Sequence, residues 1–237
     1  MAKSSTFVMD RLKKILSTNR KGDKQFGLRD QHKELKKKIG PEAADAWLRT
    51  HIERTLQFRE LLAREDWVVS DTETTSVGAS AEICELAFVP STKLNPYSTF
   101  IKPTRSITDG SAAVHGITNS MVADAPTFPQ VVGGIQRALK KYAAVVWYNG
   151  EFDIRIFEQT CYEHDLPFVE WPEHIDVMPW FAEFIGDWNS GQVGFRWPKL
   201  EGGHRAEGDC IQLIEAIELA ATSNIEYAEL LLSGEEK

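Results

Sequence analysis

An unbroken apolar run, AAVVWY, occupies residues 143–148 and has the length of a single β-strand. A strand that is apolar at every position has to be buried on both faces, which is typical of a central strand covered by helices. A loop and then a helical pattern precede this run within residues 122–142, and a second helical pattern follows it at residues 151–166. Three strand patterns precede them, at residues 67–71, 82–90 and 97–103. Strands in a row, followed by helices that alternate with strands, predict an α/β domain with a mixed sheet.

The balance of charge changes sign along the chain. Residues 1–66 contain 16 Lys and Arg against 10 Asp and Glu, a balance of +6, whereas residues 67–237 have a balance of −14. We therefore predict a basic helical N-terminal extension (1–66), a main domain (67–225) and a C-terminal tail (226–237). Residues 41–66 have the pattern of one helix that begins at Pro41. This helix either braces the main domain or forms an arm that contacts nucleic acid or a protein partner, and the sequence leaves both interpretations open.

The chain has no sequence feature of a membrane or secreted protein. No apolar run approaches the length of a membrane span. Cys84, Cys161 and Cys210 are far apart and lack the spacing of zinc ligands, which is typical of a reduced, intracellular protein. We therefore expect a cytoplasmic location and no membrane partner.

Carboxylates follow several of the predicted elements. Asp71 and Glu73 end the first strand and, two residues apart, point to the same side of it. Asp153 lies on the first turn of the helix after the apolar run, and Asp209 begins the last helical pattern. Each of these alone is most often a turn residue or a helix cap. Together they occupy the strand ends and helix starts where the sites of open α/β sheets gather.

The pair formed by Asp71 and Glu73 needs a positive partner, because like charges side by side repel each other. Carboxylate oxygens from several elements are suited to Mg²⁺ or Mn²⁺. Two such ions a few ångströms apart can clamp a phosphodiester, one by activating water and the other by stabilising the leaving oxygen. We therefore expect two divalent cations, Mg²⁺ or Mn²⁺, as cofactors.

Three motifs in a fixed order carry a family resemblance. The segments DTETT (71–75), NGEFD (149–153) and HRAEGD (204–209) resemble the three motifs of the DEDDh exonucleases, and VHGIT (114–118) is similar to a segment that contacts the 3′ end of their substrate. The likeness covers about residues 67–222. It implies an RNase H-like fold, which is a mixed five-stranded sheet flanked by helices, here with the N-terminal helical extension.

The resemblance also implies a role for each matched residue. Asp71, Glu73 and Asp209 would bind the metal pair, and Asp153 would complete the second metal site through water. His204 would be the general base that takes a proton from the attacking water, because imidazole titrates near neutral pH. Arg205 stands where a sister subfamily would need a tyrosine, which favours the histidine version.

Five further residues match positions that contact the substrate in the family, and each also has a structural interpretation. Hydroxyl or backbone groups of the threonines would contact the terminal nucleotide, the histidine would contact the 3′ end or pack, the asparagine would close a turn, and the phenylalanine would stack on a base or join the core. These residues are Thr72, Thr74, His115, Asn149 and Phe152.

Two departures from the family pattern affect the loops of the site. Ser76 replaces a customary glycine after the first motif. The segment Glu201–Gly203 is shorter than the corresponding segment of relatives, and its glycines predict a loop that brings His204 into place only with substrate bound.

The resemblance implies a 3′–5′ exonuclease that releases nucleoside 5′-monophosphates, of the kind that serves proofreading and DNA repair. Single-stranded DNA is the first choice of substrate and RNA the alternative, because the sequence does not show how a 2′-hydroxyl is treated. A non-catalytic module that binds 3′ ends or tethers a polymerase stays open, although such a module has no use for clustered negative charge. A glycosidase with paired carboxylates does not explain four acids and a histidine.

Overall fold

The computed structural model describes residues 7–18, 24–200 and 203–235. The helices are α1 Val8–Ile15, α2 Phe26–Ile39, α3 Pro41–Ala63, α4 Asp109–His115, α5 Phe128–Leu139, α6 Gly150–Glu163, α7 Met178–Ile185, α8 Ala206–Ala220 and α9 Ile225–Ser233. The strands are β1 Trp67–Thr74, β2 Ile83–Pro90, β3 Tyr97–Phe100, β4 Ala144–Trp147, β5 Glu173–Asp176, β6 Trp188–Asn189 and β7 Gly194–Phe195. Among the described residues, no helix combines the length and the apolar character that a membrane crossing requires.

The described residues form two compact units. The sheet unit comprises Glu65–Val177 and Gly202–Ile214, and the helical unit comprises Met1–Arg64, Met178–Glu201 and Glu215–Lys237. These boundaries differ from the predicted division after residue 66, because helices near the C-terminus share a unit with the N-terminal helices. Most of the predicted tail, from residue 226 to 233, belongs to α9, whose Tyr227, Ala228 and Leu231 are buried.

The sheet unit contains the mixed five-stranded sheet, in the order β3-β2-β1-β4-β5. Strand β1 is antiparallel to β2 and parallel to β4, while β2–β3 is antiparallel and β4–β5 is parallel. This confirms the predicted α/β architecture. The apolar run at residues 143–148 contains β4, which is buried at every position and lies between β1 and β5.

The core of the sheet unit joins the strands to α5 and α6. It includes Val68 of β1, Leu86 of β2, Val145 of β4, and Ile156 and Phe157 of α6. The capping box of Thr127 and Gln130 fixes the start of α5. The apolar face of α6 is therefore held on the sheet, and this packing sets the position of the first turn of α6.

The long helix α3 organises the helical unit. Its start at Pro41 confirms the predicted helix, and it packs against α2, α7 and α9. Trp47 of α3 donates from its indole N–H to the Glu183 carbonyl at 2.8 Å. Gly186 ends α7 with φ of +67°, and a Cβ there would lie 2.2 Å from the indole nitrogen of Trp47, so only glycine fits this contact.

Candidate active site

Three of the predicted carboxylates come together in the sheet unit. One carboxylate oxygen from each of Asp71, Glu73 and Asp209 lies within 4.8 Å of the others. The alternation of β1 places Asp71 and Glu73 on one face, and the pairing register with β2 shifts between Glu73 and Thr74, where β2 has one extra residue. Asp209 lies on the first turn of α8, where its amide donates to the Arg205 carbonyl at 3.0 Å. Strand geometry and a helix start therefore bring residues 138 positions apart in sequence to one point.

Burial and mutual repulsion favour the protonated form of these acids. Burial first, and then the charges of Asp153, Asp209 and Glu73, raise the pKa of Asp71. The pKa of Glu73 is raised to about 8 and that of Asp209 to about 6, in both cases chiefly by burial. In addition, Oδ1 of Asp209 is buried and has no hydrogen-bond partner among the described residues. Oxygen donors in this state fit divalent cations, which would supply the missing positive charge.

Asp153 lies next to this group on the first turn of α6. It is buried, and its Oδ1 accepts a hydrogen bond of 2.7 Å from the Thr72 hydroxyl of β1. Burial raises its pKa to about 7, and the hydrogen bond from Thr72 opposes that shift. Its charge contributes to the raised pKa values of Asp71 and Glu73, so all four predicted acids act on one another.

His204 precedes α8 and is exposed, with φ of +49°. Its positive form lowers the pKa of Asp209, which places the imidazole within electrostatic range of the carboxylates. The next residue, Arg205, is anchored by the buried carboxylate of Glu85. Most of the predicted mobile loop before His204, at residues 201 and 202, lies outside the described residues, so that prediction stays open.

The predicted substrate-contacting threonines have protein partners. The Thr72 hydroxyl donates to Asp153, and the Thr74 hydroxyl donates to the Ser76 carbonyl at 2.7 Å. His115 is buried, and its Nδ1 accepts from the Ile117 amide at 3.0 Å. Its Nε2 is 3.2 Å from the Thr74 carbonyl and carries the proton. Burial lowers the pKa of His115, so this side chain is neutral and holds the loop after β1.

Asn149 and Phe152 also have structural contacts. Asn149 adopts φ of +68° in the turn before α6. Its amide and that of Gly150 each donate to Asp176 at 3.1 Å. A Cβ on Gly150 would lie 2.6 Å from Trp147, so glycine is required at this turn. Phe152 is half-buried against the core, with the Arg155 guanidinium 5.2 Å from its ring centre.

Sequence reasoning missed Glu85, Arg205 as an anchor, and Asp176. Glu85 is the polar residue in an otherwise apolar stretch of β2, and this break in the pattern was its signal. Asp176 is the last residue of β5, a short edge strand that the patterns did not identify, because an edge strand does not have to be apolar. All three residues hold the backbone that carries the predicted acids.

Comparisons with known proteins agree on one family. The family model described as RNase_T, Exonuclease, matches residues 68–217. A protein of Escherichia phage 186, named uncharacterized exonuclease CP81, is 31% identical over 175 residues, which are 66% of this chain and 89% of the phage protein. Exodeoxyribonuclease 10 of Escherichia coli strain K12 is 32% identical over 95 residues, which are 38% of this chain and 40% of that protein.

A solved structure shares the fold. E. coli exonuclease I in complex with a dA16 oligonucleotide matches with a TM-score of 0.55 and 17% identity, over 72% of this chain and 43% of that chain. The chain therefore spans less than half the length of exonuclease I and of exodeoxyribonuclease 10.

Proposed function

Because the chain belongs to the RNase_T exonuclease family, within its DEDDh 3′–5′ exonuclease group, we propose that it degrades single-stranded DNA from the 3′ end by two-metal hydrolysis. Each cycle cleaves the terminal phosphodiester and releases a nucleoside 5′-monophosphate, which leaves a new 3′-hydroxyl on the strand.

The carboxylate cluster carries this proposal. Three acids from two distant segments meet within 4.8 Å, and their pKa values are raised, chiefly by burial and then by the charges of neighbouring acids. A protein that only binds nucleic acid would be weakened by such a cluster, because phosphates are themselves negative. Divalent cations remove this conflict, and they attract the phosphate at the same time.

The residues of the chain divide the work as follows. Asp71, Glu73 and Asp209 hold the cations, and Thr72 orients Asp153 toward the second site. When bound, the cations activate the attacking water and neutralise charge at the leaving oxygen. His204 accepts the proton of the attacking water at an imidazole nitrogen, a role in which histidine contributes about 10²- to 10⁴-fold to the rate.

The choice of DNA is supported by the relatives. Exodeoxyribonuclease 10 is named for a DNA substrate, and exonuclease I was solved with a DNA oligonucleotide. RNA is the alternative substrate class, because the described residues near the acids do not distinguish a 2′-hydroxyl. Contact of residues 1–66 with nucleic acid, a polymerase or another protein, and a cytoplasmic location, are further parts of the proposal.

The test is a panel of 5′-labelled strands, with single- and double-stranded DNA and RNA, in Mg²⁺, in Mn²⁺ and in EDTA. We expect a ladder that shortens from the 3′ end, fastest on single-stranded DNA, and mononucleotide 5′-phosphates by mass spectrometry. Asp71→Asn should abolish the ladder, and Asp109→Asn, which changes an exposed acid of α4, should leave it intact. A wild-type protein that binds 3′ ends but cleaves nothing in either metal would support the non-catalytic module instead.

A further inference from the structure

Glu85 is a buried carboxylate that the cluster itself does not need. It lies on β2 directly opposite Glu73 of β1, and it is 3% exposed. Its charge adds to the repulsion that raises the pKa values of Glu73 and Asp209. Burying a carboxylate is costly unless it is paired and hydrogen-bonded, so the partners of Glu85 indicate what it does.

The carboxylate of Glu85 accepts hydrogen bonds from Arg205 and from the residue that follows it. Nε of Arg205 donates to both carboxylate oxygens at 3.0 and 3.1 Å, and Nη2 donates to Oε1 at 2.6 Å. The Ala206 amide donates to Oε2 at 3.1 Å. The guanidinium also lies 5.2 Å from the centre of the Phe100 ring. Three hydrogen bonds and a ring contact fix the Arg205 side chain, because the planar guanidinium matches a carboxylate, and a fourth hydrogen bond fixes the next residue, Ala206.

Arg205 connects the two proposed functional groups of the third motif. Its backbone carbonyl accepts the Asp209 amide and so begins α8, and its amide nitrogen is joined directly to His204. His204 itself is exposed and makes a left-handed turn. The position of the exposed imidazole therefore depends on the backbone of a neighbour that is fixed.

We propose that Glu85 and Arg205 form a positioning clamp, which holds His204 and Asp209 in register with Asp71 and Glu73. This inference rests on the proposed nuclease function, and it gives a structural reason for the positions of His204 and Asp209 in the third motif. Neither clamp residue touches the reacting atoms. Loss of such an outer partner typically lowers activity or metal affinity about 10- to 100-fold.

The first experiment measures kcat and KM on a single-stranded DNA oligonucleotide with Mg²⁺. Arg205→Gln should lower kcat about 10- to 100-fold with little change in KM, and Arg205→Lys should rescue it only partly, because an ammonium cannot form both parallel bonds. Arg105→Gln is the matched control, because Arg105 forms a two-bonded pair with Glu163 in the same unit, at 3.0 and 3.1 Å. Its kcat should match that of the wild type.

Two double variants test how the Glu85–Arg205 pair affects kcat. In a His204→Ala background, Arg205→Gln should have a much smaller effect on kcat, because the clamp acts largely through that histidine. Adding Glu85→Gln to Arg205→Gln should restore part of the lost kcat, since the unpaired buried charge is then removed. Independent, multiplying effects, or an Arg205→Gln variant with wild-type kcat, would overturn the proposal.

Hydrogen exchange separates this proposal from the nuclease assignment. The amides of Ala206 and Asp209 should lose protection in Arg205→Gln and keep it in Arg105→Gln, in metal-free protein. If the wild type cleaves no substrate, the proposed function fails while exchange still tests the anchor. If the wild type is active and these amides remain protected in Arg205→Gln, the clamp fails and the function stands.

Discussion

The buried polar groups differ between the two units: those around His51 in the helical unit are hydrogen-bonded to one another, whereas those around Asp71 in the sheet unit are like charges. In the helical unit, His51 is 1% exposed, and its Nδ1 donates to the Phe184 carbonyl at 2.8 Å. Its Nε2 accepts from the Ser223 hydroxyl at 2.8 Å, and Ser223 in turn contacts Gln25. In the sheet unit, the acids around Asp71 repel one another. Satisfied buried groups stabilise a fold, whereas crowded like charges weaken it and are typical of a functional site.

Several positively charged side chains of the N-terminal region also have partners within the helical unit. Arg11 pairs with Asp187 at 2.6 Å, and Arg54 pairs with Glu183 at 2.5 Å. Arg59 donates to the carbonyls of the residues at 221 and 223. Positive charge that the sequence analysis assigned to a possible nucleic-acid arm is thus used within the helical unit. The brace interpretation accounts for these three arginines.

The largest expected effect is that of removing residues 1–64. Within the helical unit this deletion takes away α3, whose Phe58 ring contacts Phe181 and Phe184 of α7 at 4.8 and 5.9 Å between centres. We expect an insoluble protein or one that has lost helical content by circular dichroism, because the apolar faces of α7 and α9 lose their cover.

The matched control neutralises charge without removing the core, as the triple variant Lys33→Gln, Lys37→Gln and Lys38→Gln. It should fold as the wild type does. A truncated protein that folds, degrades short strands and only binds long strands more weakly would restore the arm interpretation, with a reduced salt dependence of binding.

The next effect is that of His51→Ala, which leaves Phe184 and Ser223 without their shared partner. We expect a loss of about 2–4 kcal/mol in the free energy of unfolding, from the cavity and from two unsatisfied buried groups. Denaturant unfolding measures this loss, with Thr50→Ala, at a half-buried position of the same helix, as the control. Below its unfolding midpoint the variant should keep wild-type kcat, and a specific loss of kcat would show that the two units differ less than proposed.

The smallest effect is a response to pH that differs in sign between the two units. Burial lowers the pKa of His51 to about 4. The stability that the neutral His51 contributes is therefore fully present above about pH 6.5 and is lost as the pH falls toward 4. Burial raises the pKa of Glu73 to about 8 and that of Asp153 to about 7. The stability that these two acids contribute is fully present below their pKa in the unfolded state, near 4.3, and is lost as the pH rises through 7 to 8.

Unfolding curves at pH 4.5 to 8.5, in EDTA and in Mg²⁺, separate these effects. From pH 6.5 to 8.5 in EDTA, stability should fall by about 1–3 kcal/mol, and Mg²⁺ or Asp71→Asn should reduce this fall. The acid decline should persist in Mg²⁺ and diminish in His51→Gln. A fall above pH 6.5 that is the same with and without Mg²⁺ would contradict the assignment of the acids as cation ligands.

Local patterns were enough for the elements that have a strong local signal. The run at 143–148 contains β4, and Pro41 begins α3, because burial and a fixed proline φ act on single segments. The short edge strand β5 and the hairpin of β6 and β7 lack such a pattern and were not identified. The order of the three motifs in the sequence predicted the four acids, and the structure brings Asp71, Glu73 and Asp209 together.

The sequence by itself determined the α/β class, the order of the central elements and the identity of the four acids. Only the tertiary structure decided which groups hold them, because Glu85 and Arg205 are 120 positions apart and meet only after the sheet has formed. Similarly, it decided that His115 holds a loop and that N-terminal arginines pair with acids near position 185. Side-chain type and periodicity act locally, whereas the partner of a charge depends on chain segments that folding brings together.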